Sequence, residues 1–137
     1  MSDALNRKLQ SIGVRTEMSS GNVAPLLHEI RHALRALAEH GTNGAVDLKS
    51  IPLAAGEQEK ILDFLGNGEV TAQIDAIGRS EVRETSYPGV WVVTYFDEAG
   101  DVKARFIEIT HLPSILHSPD IDIRDGLERL ETALRTL

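Results

Sequence analysis

From Val23 to His40 the residues Val23, Leu26, Leu27, Ile30, Leu34 and Leu37 recur every three or four positions. That spacing stacks side chains on one side of a helix. It predicts a helix with Ser20 or Asn22 as N-cap and Gly41 as its stop. A shorter amphipathic stretch over 3–12 carries Leu5, Leu9 and Ile12, ends at Gly13 and leads into a polar linker over 15–22. A second clear helix follows Pro52–Gly56 and ends at Gly66, with Ile61, Leu62 and Leu65 on its apolar face. Between these helices, Ala45–Leu48 fits a short strand. From Glu69 onward the period changes. Val70, Ala72 and Ile74 alternate with Thr71, Gln73 and Asp75, and residues 80–85 alternate more weakly. Val90–Phe96 is almost wholly apolar, and 102–110 alternates again. The short turn-rich connections AIGR, YPG and DEAG predict a four-strand antiparallel meander. After Pro113 and Pro119, the residues Ile123, Leu127, Leu130, Leu134 and Leu137 return to helical spacing. The pattern implies an α+β fold: a four- to five-stranded, mainly antiparallel sheet with helices packed on one face. It divides the chain into an N-terminal helix and linker (1–21) and a single domain (22–137).

The last hairpin separates the two faces of the sheet. With a loop at Asp97–Gly100, Tyr95 opposes Val102, Val93 opposes Ala104 and Trp91 opposes Phe106, which share a face expected to lie under the helices. The other face carries Val90, Val92, Thr94, Lys103, Arg105 and Ile107. An apolar stripe edged by Arg83, Lys103 and Arg105 has the composition that interfaces favour, so these residues form the expected partner surface. Two copies of the chain packing this face together, as a homodimer, is the competing use of it.

Composition narrows the chemistry. Among 137 residues, aromatics make up only 4%, so the core must be aliphatic. The net charge of −7, with no Lys/Arg run, argues against nucleic acid and anionic lipid as partners. There is no cysteine, which excludes disulfides, thiolate nucleophiles and thiolate-held metal or iron–sulfur centres. No apolar run has the length of a membrane span and residues 1–10 carry no apolar leader, so the expected location is the cytoplasm.

The sharpest local motif is His28-Glu29-Ile30-Arg31-His32. It matches the zinc-peptidase string H-E-x-x-H, in which two histidines one turn apart bind zinc and the glutamate activates water. Helical geometry places His28 and His32 opposite the Val23/Leu27/Ile30/Leu34 stripe, away from the nearest core. His40 lies too far along for the metzincin pattern, and nothing singles out Glu57 or Glu59 as a third ligand. A zinc-dependent hydrolase using residues 28–32 is therefore the alternative, and solvated or interface histidines the main reading. Trp91, the one tryptophan, is assigned to the core. Glu84 and Glu108 share its parity, so both require partners or protonation. No G-x-S-x-G string or Gly-rich phosphate loop is present.

The segments VAPLLHEIRHALRAL (23–37), LDFLGNGEV (62–70), EVRETSYPGVWVVTY (81–95) and RFIEITHLP (105–113) together resemble the HupH/HyaF family. These are accessory proteins of nickel–iron uptake hydrogenase operons. The likeness runs through residues 22–118 and is to the family's C-terminal domain; its members are longer, with an additional N-terminal region. The most specific pieces are RET-x-x-PGVW and RFIEI-x-x-x-P, matched here by Glu84, Pro88, Gly89, Val90, Trp91, Arg105, Glu108 and Pro113. The resemblance implies a role in hydrogenase expression and maturation, on the small-subunit precursor before export. It implies no enzymatic activity and assigns no catalytic residues. The expected function is thus chaperone-like binding of the hydrogenase small subunit or other maturation proteins, with no cofactor.

Overall fold

The computed structural model describes residues 19–76 and 78–137; the helix expected over 3–12 lies outside them. Helix α1 runs Val23–His40, followed by strand β1 (Gly44–Asp47), a 3-10 turn (Leu48–Ser50) and helix α2 (Glu57–Leu65). Strands β2 (Thr71–Ala76), β3 (Gly78–Glu84), β4 (Val90–Phe96) and β5 (Val102–Ile109) form the meander. A 3-10 turn (Ser114–Leu116) and helix α3 (Asp120–Leu134) complete the chain. All strand pairs are antiparallel, in the order β1-β5-β4-β3-β2, so β1 extends the meander at the β5 edge. The fold is α+β.

The ends of α1 follow its sequence. Gly41 takes a left-handed conformation and turns its N–H back to the Leu37 carbonyl oxygen, while the Thr42 N–H reaches that of Ala36. At the other end Asn22 makes no side-chain cap bond to the helix; its amide donates to the Pro52 carbonyl oxygen at 2.8 Å and ties the helix start to the segment before α2.

The face assignment is reversed relative to the sequence expectation. Val90, Val92, Ile107 and Ile109 pack with Leu26, Ile30 and Leu37 of α1, Leu48, and Ile61 and Leu65 of α2. The aliphatic stripe expected to be an open partner surface is therefore the main core. Arg105 lies on the same side: its Nε donates to Thr94 Oγ1 at 3.0 Å and its guanidinium to Gln58 Oε1 of α2 at 2.7 Å. Arg83 is engaged too, donating to the Gly66 carbonyl oxygen at 2.9 Å and to the Asn67 side chain. Of the six residues expected at the interface, Lys103 alone is exposed.

Trp91 is buried, at 4% exposure, but not beneath the helices. It joins Val82 and Val93 on the opposite face, covered by Tyr95, Ile115 and Leu116. The sheet thus has two covered faces, a broad aliphatic one under α1 and α2 and a smaller one under the 3-10 turn. The β4–β5 register is also displaced by two residues: Tyr95 pairs with Ala104, Val93 with Phe106 and Trp91 with Glu108. The loop closes through Asp101, whose N–H is held by Asp97 Oδ1, and an irregularity between Tyr95 and Phe96 absorbs the change. An even displacement preserves which side chains share a face.

Candidate functional site

Several residues of the family-like segments lock loops together. The α2–β2 connection lies along the end of β3: Gly68 N–H donates to the Glu84 carbonyl oxygen at 2.8 Å, and Ser86 N–H to that of Leu65 at 2.8 Å. The Glu84 carboxylate accepts from Glu69 N–H at 3.1 Å. A Cβ on Gly68 would sit 2.4 Å from the Thr85 carbonyl oxygen, so the close approach requires glycine there. Thr85 organises the β3–β4 turn: its hydroxyl donates to the Val90 carbonyl oxygen at 2.8 Å and accepts from Tyr87 N–H at 3.2 Å. Gly89 holds φ at 95°, and a Cβ would press on Leu34 Cδ1 at 3.1 Å. Pro113 is fully buried and Pro88 exposed on the turn.

This clamped turn forms one wall of an apolar groove of about 430 Å³. Leu27, Ile30 and Leu34 of α1 form the other wall, with Leu65 and Val90 also lining it, and His28 and Arg31 are its polar lining. At the α2 side, Phe64 and Tyr87 stack with ring centroids 6.5 Å apart while remaining 60% and 43% exposed. Two partly exposed aromatic rings beside aliphatic walls form a surface suited to an apolar side chain or an amphipathic segment. Sequence reasoning missed both rings. The legible signal was Phe64 itself, a large aromatic standing beside the Ile61/Leu65 stripe of α2 rather than within it.

His28 and His32 are both exposed on α1. Among the described residues, no group of three or more His, Asp or Glu side chains comes together to hold a metal ion. Glu57 is otherwise occupied: its carboxylate accepts from Ala54 N–H at 2.6 Å and from Ser20 N–H at 3.3 Å. The Ser20 side chain foremost, and then the Ala54 N–H, hold its carboxyl below the ordinary value.

Glu84, Trp91 and Glu108 lie side by side across β3, β4 and β5. Burial pushes the Glu108 carboxyl above its ordinary value. Burial, with the Glu108 charge second, likewise raises the Tyr95 phenol. Glu108 opens toward a polar cleft lined also by Asn43, His111, Ser114 and His117. Among the described residues, no helix is long and apolar enough to cross a membrane.

The model of the HupH hydrogenase expression protein C-terminal conserved region matches residues 21–137. The chain belongs to that family. It is 33% identical over 114 residues to the hydrogenase expression/formation protein HoxQ of Azotobacter vinelandii, covering 80% of this chain and 39% of that protein. It is 32% identical over 111 residues to HupQ of Azotobacter chroococcum, with the same coverage of both chains. This HupH-family chain thus spans about two-fifths of the length of these relatives. Among solved structures, the hydrogenase expression protein HupH from Thiobacillus denitrificans matches with a TM-score of 0.82 at 36% identity, covering 86% of this chain and 98% of that one. These relatives are named as expression and formation proteins.

Proposed function

We propose that this HupH-family domain acts in hydrogenase maturation by holding the small-subunit precursor, taking an apolar segment of it into the groove between α1 and the Phe64/Tyr87 pair. The observation that supports this is the groove itself: exposed stacked aromatics fixed by a hydrogen-bonded turn, against a firm aliphatic wall. A rigid apolar site loses little entropy on binding, and aromatic anchors dominate interface energetics. The chain has no cysteine, so it offers no thiolates for the small subunit's iron–sulfur clusters and meets the polypeptide instead.

The test is capture of the purified small-subunit precursor by Phe64→Asp and Tyr87→Asp variants, with His32→Ala as a control on the exposed side of α1. The aspartate variants should weaken capture by at least about tenfold while melting within about 2 °C of the parent. His32→Ala should change neither. Undiminished capture by both aspartate variants would remove the groove as the site. Phe64-dependent capture of a different maturation protein would keep the groove and discard the small subunit.

A further inference from the structure

Helix α3 buries none of its side chains. Ile123, Leu127, Leu130 and Leu134 are each 55–58% exposed, and Leu137 beyond them is almost fully exposed. Their spacing alternates four and three residues, which is the a/d repeat of a coiled-coil seam rather than the broader stripe of a helix lying on a sheet. With Leu127 and Leu134 at a and Ile123, Leu130 and Leu137 at d, the flanking e positions are Arg124 and Glu131, and the g positions are Gly126 and Ala133.

We propose that α3 pairs with α3 of a second copy of this chain, antiparallel, as a homodimer. Two features of the helix select this occupant and this direction. In an antiparallel pair a faces d, so Ile123 meets Leu134 of the second copy and Leu127 meets Leu130, closing four apolar layers from four of the five seam residues. The e positions then line one edge together, bringing Arg124 of each copy beside Glu131 of the other, twice by symmetry. Along the opposite edge the g positions meet, and small Gly126 opposite Ala133 lets the backbones approach. A parallel pair would set Glu131 against Gly126 and waste both charges. Among the described residues the one ion pair is Arg129 with Asp125 at 3.1 Å, on the outer side of the helix, so Arg124 and Glu131 form none with any described residue. Ile121 is the one large apolar side chain of α3 outside the seam.

The seam is short, so the dimer should form at roughly micromolar concentration. Sedimentation velocity of the full chain across that range should show monomer passing to dimer. Leu127→Glu should leave a monomer at all concentrations with an unchanged circular dichroism spectrum, because the position is exposed in the single chain. Glu131→Arg should weaken the dimer several-fold, and adding Arg124→Glu to it should restore the dimer. The chain's lack of cysteine allows a direct test of direction. Mixing Ile123→Cys chains with Leu134→Cys chains should give an oxidised heterodimer, while neither variant alone cross-links. A chain that stays monomeric at hundreds of micromolar, a dimer indifferent to Leu127→Glu, or cross-linking of either cysteine variant with itself would overturn the proposal.

Discussion

Trp91 donates its indole N–H to the Thr110 carbonyl oxygen, 3.1 Å away, joining the centre of the sheet to the segment that covers its second face. Thr110 in turn donates its N–H to the Gly89 carbonyl oxygen at 2.9 Å, so the start of β4 and the exit from β5 are held together on both sides of one residue. Trp91→Phe keeps most of the buried ring but leaves a buried carbonyl without its donor, at about 1–2 kcal/mol. Trp91→Ala should cost about 3–5 kcal/mol. Urea unfolding measures both, and the parent's tryptophan emission should be blue-shifted. A water-like emission maximum would contradict the burial.

Val92→Glu should unfold the domain. The side chain lies under α1 and α2 with Ile107 and Leu65, where a lone carboxylate has no partner. The loss is about 3–5 kcal/mol or more, a large share of the total stability of a domain. Lys103→Glu, at the exposed edge, should leave the melting temperature nearly unchanged. A folded Val92→Glu variant with native circular dichroism would restore the open-face expectation.

Gly68→Ala should be among the most damaging small substitutions. Its Cβ would collide with backbone at Thr85, which cannot rotate away, and with the Glu84 carboxylate. Alanine at Gly89 faces a positive φ and only moderate crowding by the flexible ends of Leu34 and Leu37. Both should lower the melting temperature, Gly68→Ala more. The Phe64/Tyr87 groove should loosen with them, since the same loops form its wall.

Stability should depend on pH through two carboxyls with opposite signs. The folded value of Glu108 is raised above its ordinary 4.5, so its contribution is present below that pH and is lost as pH rises through the folded value. Glu108→Gln should therefore be more stable than the parent at neutral pH, with the gain vanishing toward pH 4.5. The Glu57 carboxyl is held below 4.5 by Ser20 and Ala54, so its contribution is present above that pH and lost as pH falls through the folded value. Glu57→Gln should be less stable at neutral pH, and the difference should close in acid. Denaturant midpoints between pH 3 and pH 8 test both signs.

Zinc and EDTA should leave the melting temperature of the purified chain unchanged, and so should His32→Ala. Two exposed histidines without a third donor among the described residues bind zinc weakly. One tightly held zinc per chain, released by His32→Ala, would return the hydrolase reading to consideration.

Among the described residues, the positions of the longest helix and of the central strand were legible from period alone. Val23–His40, bounded by Gly41, and Val90–Phe96 coincide with the expected ranges, because apolar spacing reports which side of an element meets other atoms. Parity in the β4–β5 hairpin was also legible, and it survived a two-residue error in register. Which face the helices cover was not. Strand β4 reads VWVVTYF, apolar on both sides, so alternation sorts its residues into two sets without saying what lies above either. Only the packing of α1 and α2 decides that the smaller aliphatic set, Val90, Val92 and Ile107, is the main core, while Ile115 and Leu116 cover Trp91 from the other side. The groove depends on tertiary structure for the same reason. Phe64 and Tyr87 are distant in sequence, and their stacking follows from the clamp between Leu65–Glu69 and Glu84–Ser86, whose backbone hydrogen bonds leave no period in the residues that make them.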